Sequence, residues 1–434
     1  MSDWERIYKE RLTSKEEAIG RIPRNGSVWL HHAVMEPQTL VREITAQRKR
    51  FDRLRVYHMV RSGAIDITTP GYENYFIDNP IFAGANSRAA LAEGKSDYTP
   101  CFFYELPYLL RNGRIPCEAA LLQVSAPDRH GYCSLGASVD YAMQAARTAP
   151  LVIAQVNNHV PRTLGDCFLH VSEFDAIVEA DEDIYTITPP SIGDEEKQIG
   201  ANCASLIEDG CTLQLGIGGI PDAVMLFLDG KKDLGIHSEM ISDGTLALYE
   251  KGVINNSKKA ENRGKMTVTF LMGTQELYRF ADNHPAVDMH PVDYVNHPTV
   301  IMRQYKPVSV NSAIEVDFMG QVAADSIGLS QFSGVGGQVD FIRGCTMAEG
   351  GRAIIAMPSS TVKKDGTRLS KIVPFLKEGA AVTTSRADVD FVVTEQGVAE
   401  MKGKTLRERA KALIGIAHPD FRAELMQMFN KRFV

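Results

Sequence analysis

One glutamate and two clusters of glycine are the residues whose types and spacing point to chemistry in this sequence. Glu239 lies within residues 234–244, LGIHSEMISDG. An apolar run over 234–237 reads as a strand leading straight into Ser238-Glu239-Met240, so Glu239 is expected to project from a strand's carboxyl end. In open α/β sheets that edge is where ligands bind. Glu239 also stands about twenty residues beyond a glycine-rich turn, where a dinucleotide-binding fold places its ribose-binding acid. A surface or helix-capping carboxylate would look the same, and His237, alternating with it, reads as a core histidine.

The first glycine cluster occupies residues 213–224, LQLGIGGIPDAV. An apolar strand carrying Gln214 and Leu215 ends in Gly216-Ile217-Gly218-Gly219, and Pro221 sits where a helix would begin. Proline is tolerated in a first helical turn because its missing N–H would be an orphan there. The glycines let a ligand approach backbone N–H groups, and a helix N-terminus favours an anion. A dinucleotide fingerprint would carry glycine at Pro221, and a tight strand–helix turn without a ligand needs the same residues. The second cluster is residues 333–341, SGVGGQVDF. Gly334, Gly336 and Gly337 leave the backbone bare, which suits an oxyanion site; losing one donor there typically costs about 2.7–4 kcal/mol of barrier. A bulge or glycine-rich turn is the plain alternative. Asn311, in residues 310–322 (VNSAIEVDFMGQV), offers a neutral hydrogen-bonding side chain beside an apolar run.

Other chemistries find little support. His284, His290 and His297 each precede a proline, so they read as loop residues rather than one face of a helix. The adjacent pair His31-His32 would point to opposite faces of a strand, and no His-Glu-x-x-His pattern exists, so no metal site is expected. No Gly-x-Ser-x-Gly elbow or phosphate-binding loop ending in Gly-Lys-Ser/Thr occurs.

The elements that must position these residues alternate along the chain. Residues 27–34, 53–60, 119–125 and 151–156 read as strands in the first half, with helices over 38–47 and 140–148. The second half repeats the style, with strands at 212–215, 234–237, 266–271, 352–357, 381–384 and 391–394 and helices at 405–417 and 420–431. Such alternation implies an α/β fold with parallel sheets covered by helices. A punctuated stretch near 187–200, including Pro189-Pro190, marks a boundary between two α/β domains, 1–190 and 191–434.

Composition fits this plan. The chain has 434 residues, 44% hydrophobic and 23% charged, which at about 150 residues per domain suggests two or three ordinary globular domains. A net charge of −7 gives no general basic field for nucleic acid, so an anion site must be built locally from backbone N–H groups or a few placed cations. Seven scattered cysteines with no Cys-x-x-Cys spacing read as reduced and mostly buried thiols. The N-terminus has no apolar signal region and no apolar run reaches the roughly 20 residues of a membrane span, so a soluble cytoplasmic protein is expected.

In order along the chain, these segments resemble the acetyl-CoA hydrolase/CoA-transferase family, in the branch of the 4-hydroxybutyrate and butyryl-CoA:acetate CoA-transferases. Residues 355–374 (IAMPSSTVKKDGTRLSKIVP) and 416–422 (IAHPDFR) extend the resemblance over nearly the whole chain. It implies two open α/β domains of related topology with the active site in the cleft between them. It makes Glu239 the catalytic glutamate, whose carboxylate attacks an acyl-CoA thioester and goes through an acyl-glutamyl anhydride to a glutamyl-CoA thioester, in ping-pong fashion. A glutamate, with a reference pKa near 4.3, is ionised at neutral pH and needs no neighbouring base. The resemblance also implies CoA contacts at Gln214, Leu215, Gly216, Ile217, Gly218, Ile314 and Gly337; Gly219, Asn311 and Gly334 are grouped with them. Gly336 and Gly337 are suited to receive the oxyanion. Coenzyme A or acyl-CoA is then a substrate, with no tightly bound cofactor, and a homodimer or dimer of dimers is implied.

Within residues 30–37 (LHHAVMEP), Met35 replaces a small residue of relatives, so His32, Val34 and Met35 are expected to shape an acyl pocket. That leaves 4-hydroxybutyrate, butyrate, acetate, propionate, succinate or itaconate open as the acid. Packing under the sheet is the other reading of Met35. An acyl-CoA hydrolase using the same glutamate, an NAD(P)-dependent oxidoreductase and a non-catalytic CoA-binding protein are the competing functions.

Overall fold

The computed structural model describes residues 2–63 and 67–433. The chain forms two compact units, Met1–Ile187 with Thr267–Val295, and Thr188–Met266 with Asn296–Val434. The first break thus falls beside Pro189-Pro190, while Thr267–Val295 returns to the first unit. That return is built from long-range pairing: Val139 N–H donates to the Thr269 carbonyl at 2.9 Å, and Leu164–Gly165 pairs in parallel with Val287–Met289. A boundary read along the chain cannot register a segment that crosses back.

The first unit holds a six-stranded sheet of β1 (Ser27–Leu30), β2 (Leu54–His58), β3 (Phe76–Pro80), β4 (Ala119–Val124), β5 (Leu151–Val156) and β6 (Ala176–Glu179). Its spatial order is β3-β2-β1-β4-β5-β6, all parallel. β1 and β4 are buried along their whole length, as expected for a parallel sheet with both faces covered. Helix α1 (Gln38–Ala46) follows Pro37 and turns Leu40, Val41 and Ile44 into a core with Val28, Leu54 and Leu121. Strand β1 stops at Leu30, so His31 and His32 lie in the loop after it and not on opposite faces of a strand.

The second unit repeats this plan with β7 (Thr212–Leu215), β8 (Gly235–Ile241), β9 (Pro307–Ser312), β10 (Arg352–Ala356), β11 (Phe391–Thr394) and β12 (Gly397–Glu400). These lie in the order β8-β7-β9-β10-β11-β12, parallel except for the antiparallel edge strand β12. In both units the chain runs outward from its first strand on one side and then switches to the other. The switch points lie between β1 and β4 and between β7 and β9. Ligands of open α/β sheets sit outside the carboxyl ends of the strands at such points.

Helix α2 (Gly219–Leu226) follows β7, with Pro221 as its third residue. Helix α3 (Gln338–Met347) packs on β9 and β10 and buries Phe341, Ile342 and Cys345. Residues 381–384 form no strand: Val382 is 46% exposed, and only Thr384 makes an isolated bridge, to Val322. The run is short and has no ladder partner, so its apolar letters carry no fold information. The C-terminal helices run Leu406–Gly415, capped by Thr405, and Pro419–Phe433. All seven cysteines are free, six of them buried. Among the described residues no helix is long and apolar enough to cross a membrane.

Candidate active site

The second unit gathers its sequence-marked residues around the switch point between β7 and β9. Thr212 and Leu213 pair with Gly235 and Ile236 of β8, and Ser238 Oγ donates to the Leu215 carbonyl at 3.3 Å. Glu239 therefore stands just past the end of β7. Strand β8 is longer than its apolar letters suggest and includes Glu239 itself, so the carboxylate sits inside a strand and not beyond it. That places it on a rigid element, with buried Ser238 and Met240 on either side.

The carboxylate is held by two features. Asn296 Nδ2 donates to Glu239 Oε2 at 2.8 Å and to Asp340 Oδ2 at 3.2 Å. Asn296 is 0% exposed, and its Oδ1 has no hydrogen-bond partner among the described residues. Asp340, near the start of α3, takes a position where the helix dipole favours a negative charge. The second feature is Gly337, the residue capping α3. A Cβ built there would overlap Glu239 Oε2 and Asn296 Nδ2 and come to 3.0 Å from Glu239 Cδ. Glycine is thus required for the carboxylate to reach the backbone at the head of α3.

The glycine loop containing Gly334, Gly336 and Gly337 is buried, and Gly336 takes φ +54°. Gln338 ties it to β9, donating from Nε2 to the Ser312 carbonyl at 2.7 Å. On the neighbouring strands Asn311 Nδ2 donates to Gln214 Oε1 at 3.1 Å across the switch point. The turn after Leu215 exposes Ile217, and Gly218 caps α2 with φ +115° and ψ 176°, a conformation essentially confined to glycine. Ile314 lies beyond Asn311 in a groove of about 650 Å³.

His32, Val34 and Met35 belong to the first unit, in the loop leaving β1 at that unit's switch point. His32 Nδ1 is 2.8 Å from Asp140 Oδ2, and its ring meets Phe270 edge-on with centroids 4.8 Å apart. Val34 and Met35 are both 0% exposed. A Cβ on Gly136 would come to 2.9 Å from Met35 Cε, so the thioether is closely packed in this structure. The same loop carries a buried ion pair, Glu36 with Arg61 at 3.0 Å.

Asn296, Asp340 and Gln338 were not marked by the sequence. Asn296 precedes the His-Pro pair at 297–298, and nothing local distinguishes it from a loop asparagine. His237 is buried, with Nδ1 3.3 Å from Gln304 Nε2. Among the described residues no group of three or more His, Cys, Asp or Glu could hold a metal ion.

Comparison with known proteins adds to this geometry. Residues 1–189 match the model of the acetyl-CoA hydrolase/transferase N-terminal domain, and residues 273–429 match that of the acetyl-CoA hydrolase/transferase C-terminal domain. A 4-hydroxybutyrate coenzyme A transferase of Clostridium kluyveri is 56% identical over 99% of this chain and 100% of its own. Among solved structures, a 4-hydroxybutyrate CoA-transferase from Porphyromonas gingivalis is 40% identical with a TM-score of 0.85, covering 99% of this chain and 100% of that one. RipA from Yersinia pestis is 36% identical with a TM-score of 0.92 over 99% of each chain.

Proposed function

This chain belongs to the acetyl-CoA hydrolase/transferase family and is a CoA-transferase, and we propose that it moves CoA between a short-chain acyl-CoA and a small carboxylic acid through a glutamyl-CoA thioester on Glu239. The acids that fit are 4-hydroxybutyrate, butyrate and acetate, with propionate, succinate and itaconate as further members of the set. The observation that carries the reading is the Glu239 carboxylate, anchored by Asn296 and lodged against Gly337.

A Glu239 oxygen attacks the acyl carbonyl carbon, the C–S bond breaks, and CoA leaves as thiolate while an acyl-glutamyl anhydride forms. The thiolate then attacks the glutamyl carbonyl, the first acid leaves as carboxylate, and the glutamyl-CoA thioester remains. A second carboxylate attacks that thioester and expels the thiolate. The thiolate takes the new acyl group from the resulting anhydride and Glu239 is freed. Each bond made resembles one broken, so the exchange needs no ATP.

Every attack develops an oxyanion. The N–H groups of Gly336 and Gly337 and the Asn296 amide are the donors suited to it, and preorganised donors are worth most in a dry site. The glycine turn Gly216–Gly219, with Gln214, Leu215 and Ile217, and the positions Asn311, Ile314 and Gly334 contact CoA, whose remote parts supply binding energy realised at the reacting carbonyl. His32, Val34 and Met35 shape the acyl pocket.

The test is to incubate the enzyme with acyl-CoA, reduce with borohydride and locate the modified residue by mass spectrometry. Reduction of Glu239 to the alcohol is expected. An unmodified Glu239, or full activity in Glu239→Ala, overturns the mechanism. Thiol release measured with and without acetate separates transfer from hydrolysis: substantial turnover without any acid would replace the transferase reading by a hydrolase using the same glutamate.

A further inference from the structure

The Asn296 amide reaches two carboxylates of the second unit, and the proposed chemistry consumes only one of them. Its Nδ2 carries two hydrogens, and Glu239 Oε2 and Asp340 Oδ2 accept at 2.8 and 3.2 Å. Asp340 is 1% exposed and is the third residue of α3, where the helix dipole favours its charged form. Asn296 Oδ1 has no hydrogen-bond partner among the described residues. The orientation of the amide is therefore set from its nitrogen side alone.

Packing holds Asn296 and Asp340 together through contacts in which Glu239 takes no part. Asn296 leads into a short helix, Pro298–Ile301, which packs on α3. The two helices approach closely at Gly344, where a Cβ would come to 2.5 Å from Ile301 Cβ. The first turn of α3 is tied down by Gln338. Its Nε2 donates to the Ser312 carbonyl at 2.7 Å, and its Oε1 accepts from Thr384 Oγ1 at 3.0 Å.

Charge shows why a second acceptor matters. In the glutamyl mechanism Glu239 is an anion only before attack and after release; as anhydride and as thioester it is neutral. A hydrogen bond to an ionised acceptor is roughly twice as strong as a neutral one, so acylation loosens the amide's hold on Glu239. An amide that then turned by 180° would present Oδ1 to the glutamyl carbonyl and repel an oxyanion forming there. Asp340 takes no part in the acyl exchange and keeps its charge. We infer that Asp340 is a positioning residue, whose carboxylate accepts the second amide hydrogen and keeps Asn296 Nδ2, and not Oδ1, turned towards Glu239 while Glu239 is acylated. The inference rests on the glutamyl reading above and extends it to a residue that acts through Asn296.

The experiment is a double-mutant cycle on Asn296→Ala and Asp340→Ala, read as the rate of Glu239 adduct formation by rapid-quench mass spectrometry. Calorimetric titration with CoA counts the folded sites, and Asp340→Leu replaces the alanine variant if that fails to fold. Asp340→Ala is expected to slow the adduct by about a hundredfold, the low end for a lost oriented donor. The double variant should be no slower than Asn296→Ala alone, since coupled residues are not additive. Asp340→Asn, which still offers an oxygen acceptor, should recover about tenfold of the loss. A wild-type rate in Asp340→Ala, additive losses in the double variant, or an Asp340→Asn rate no better than that of Asp340→Ala each overturns the proposal. Failure of the glutamyl mechanism shows differently, as an unmodified Glu239 in wild type, and removes both readings together.

Discussion

Asn296 joins two carboxylates, donating through one amide nitrogen to Glu239 Oε2 at 2.8 Å and to Asp340 Oδ2 at 3.2 Å. The amide thereby holds the Glu239 carboxylate from one side while Gly337 confines it from the other. Asn296→Ala should slow formation of the Glu239 adduct by about 10²–10³, the range for losing one oriented donor. Rapid-quench mass spectrometry of the glutamyl-CoA species measures this directly. Adduct formation at the wild-type rate would reduce Asn296 to a packing residue.

Gly337→Ala tests the confinement without removing any polar group. Its methyl would occupy the space of Glu239 Oε2, forcing the carboxylate out of line. Activity is expected to fall at least a hundredfold while the circular dichroism spectrum is kept, since the residue only caps a helix. Retained turnover would mean that Glu239 works from another rotamer.

Gly218→Ala separates backbone geometry from crowding. A Cβ at this position meets nothing within 4 Å, yet φ is +115°. Stability should drop by about 1–3 kcal/mol from strain alone. If the turn binds CoA, KM for acyl-CoA rises with little change in kcat. An unchanged KM would leave the turn as a strand–helix connection only.

Met35→Ala tests the proposed acyl pocket. The side chain is fully buried against Gly136, so a cavity cost of about 2–5 kcal/mol is expected in urea unfolding. A pocket role adds a shift in relative kcat/KM towards bulkier acids, from acetate to butyrate to 4-hydroxybutyrate. Lost stability with an unaltered acid preference would assign Met35 to packing.

Asp222, in the helix after the glycine turn, makes stability depend on pH. Burial, reinforced by the neighbouring Asp243 carboxylate, pushes its carboxyl up from 3.8 to about 6. The folded pKa is raised, so the cost of holding the charged form is complete above about pH 6 and relieved as pH falls towards 4. Asp222→Asn should therefore be more stable than wild type by about 1 kcal/mol near pH 7.5, allowing for solvent screening, and no more stable near pH 4. Urea unfolding at both pH values checks the sign. A gain that persists unchanged at about pH 4 would place the cause outside this ionisation.

Local letters carried much of this protein. Runs such as 119–124 and 391–394 are strands dominated by apolar letters, with Gln123 and Thr394 their only polar residues, and within 213–224 and 333–341 the positive φ of Gly218 and Gly336 marks the turns. Glu239 was marked as a candidate by the apolar run before it, where a surface or capping carboxylate would look the same, and only the family resemblance gave it the catalytic role. The failures share one cause. Residues 381–384 have strand letters but make only one isolated bridge, Thr384 to Val322, and Thr267–Val295 belongs to the first unit only through pairing with distant segments. Asn296 lies far from Glu239 along the chain, and no local pattern records an amide that meets a carboxylate only after β8 and α3 have packed. The sequence by itself determined the α/β class and the glycine turns and marked Glu239 as a candidate, because backbone freedom, burial and charge are properties of short segments. Tertiary structure alone decided what holds that carboxylate, because its partners depend on the order in which strands lie side by side.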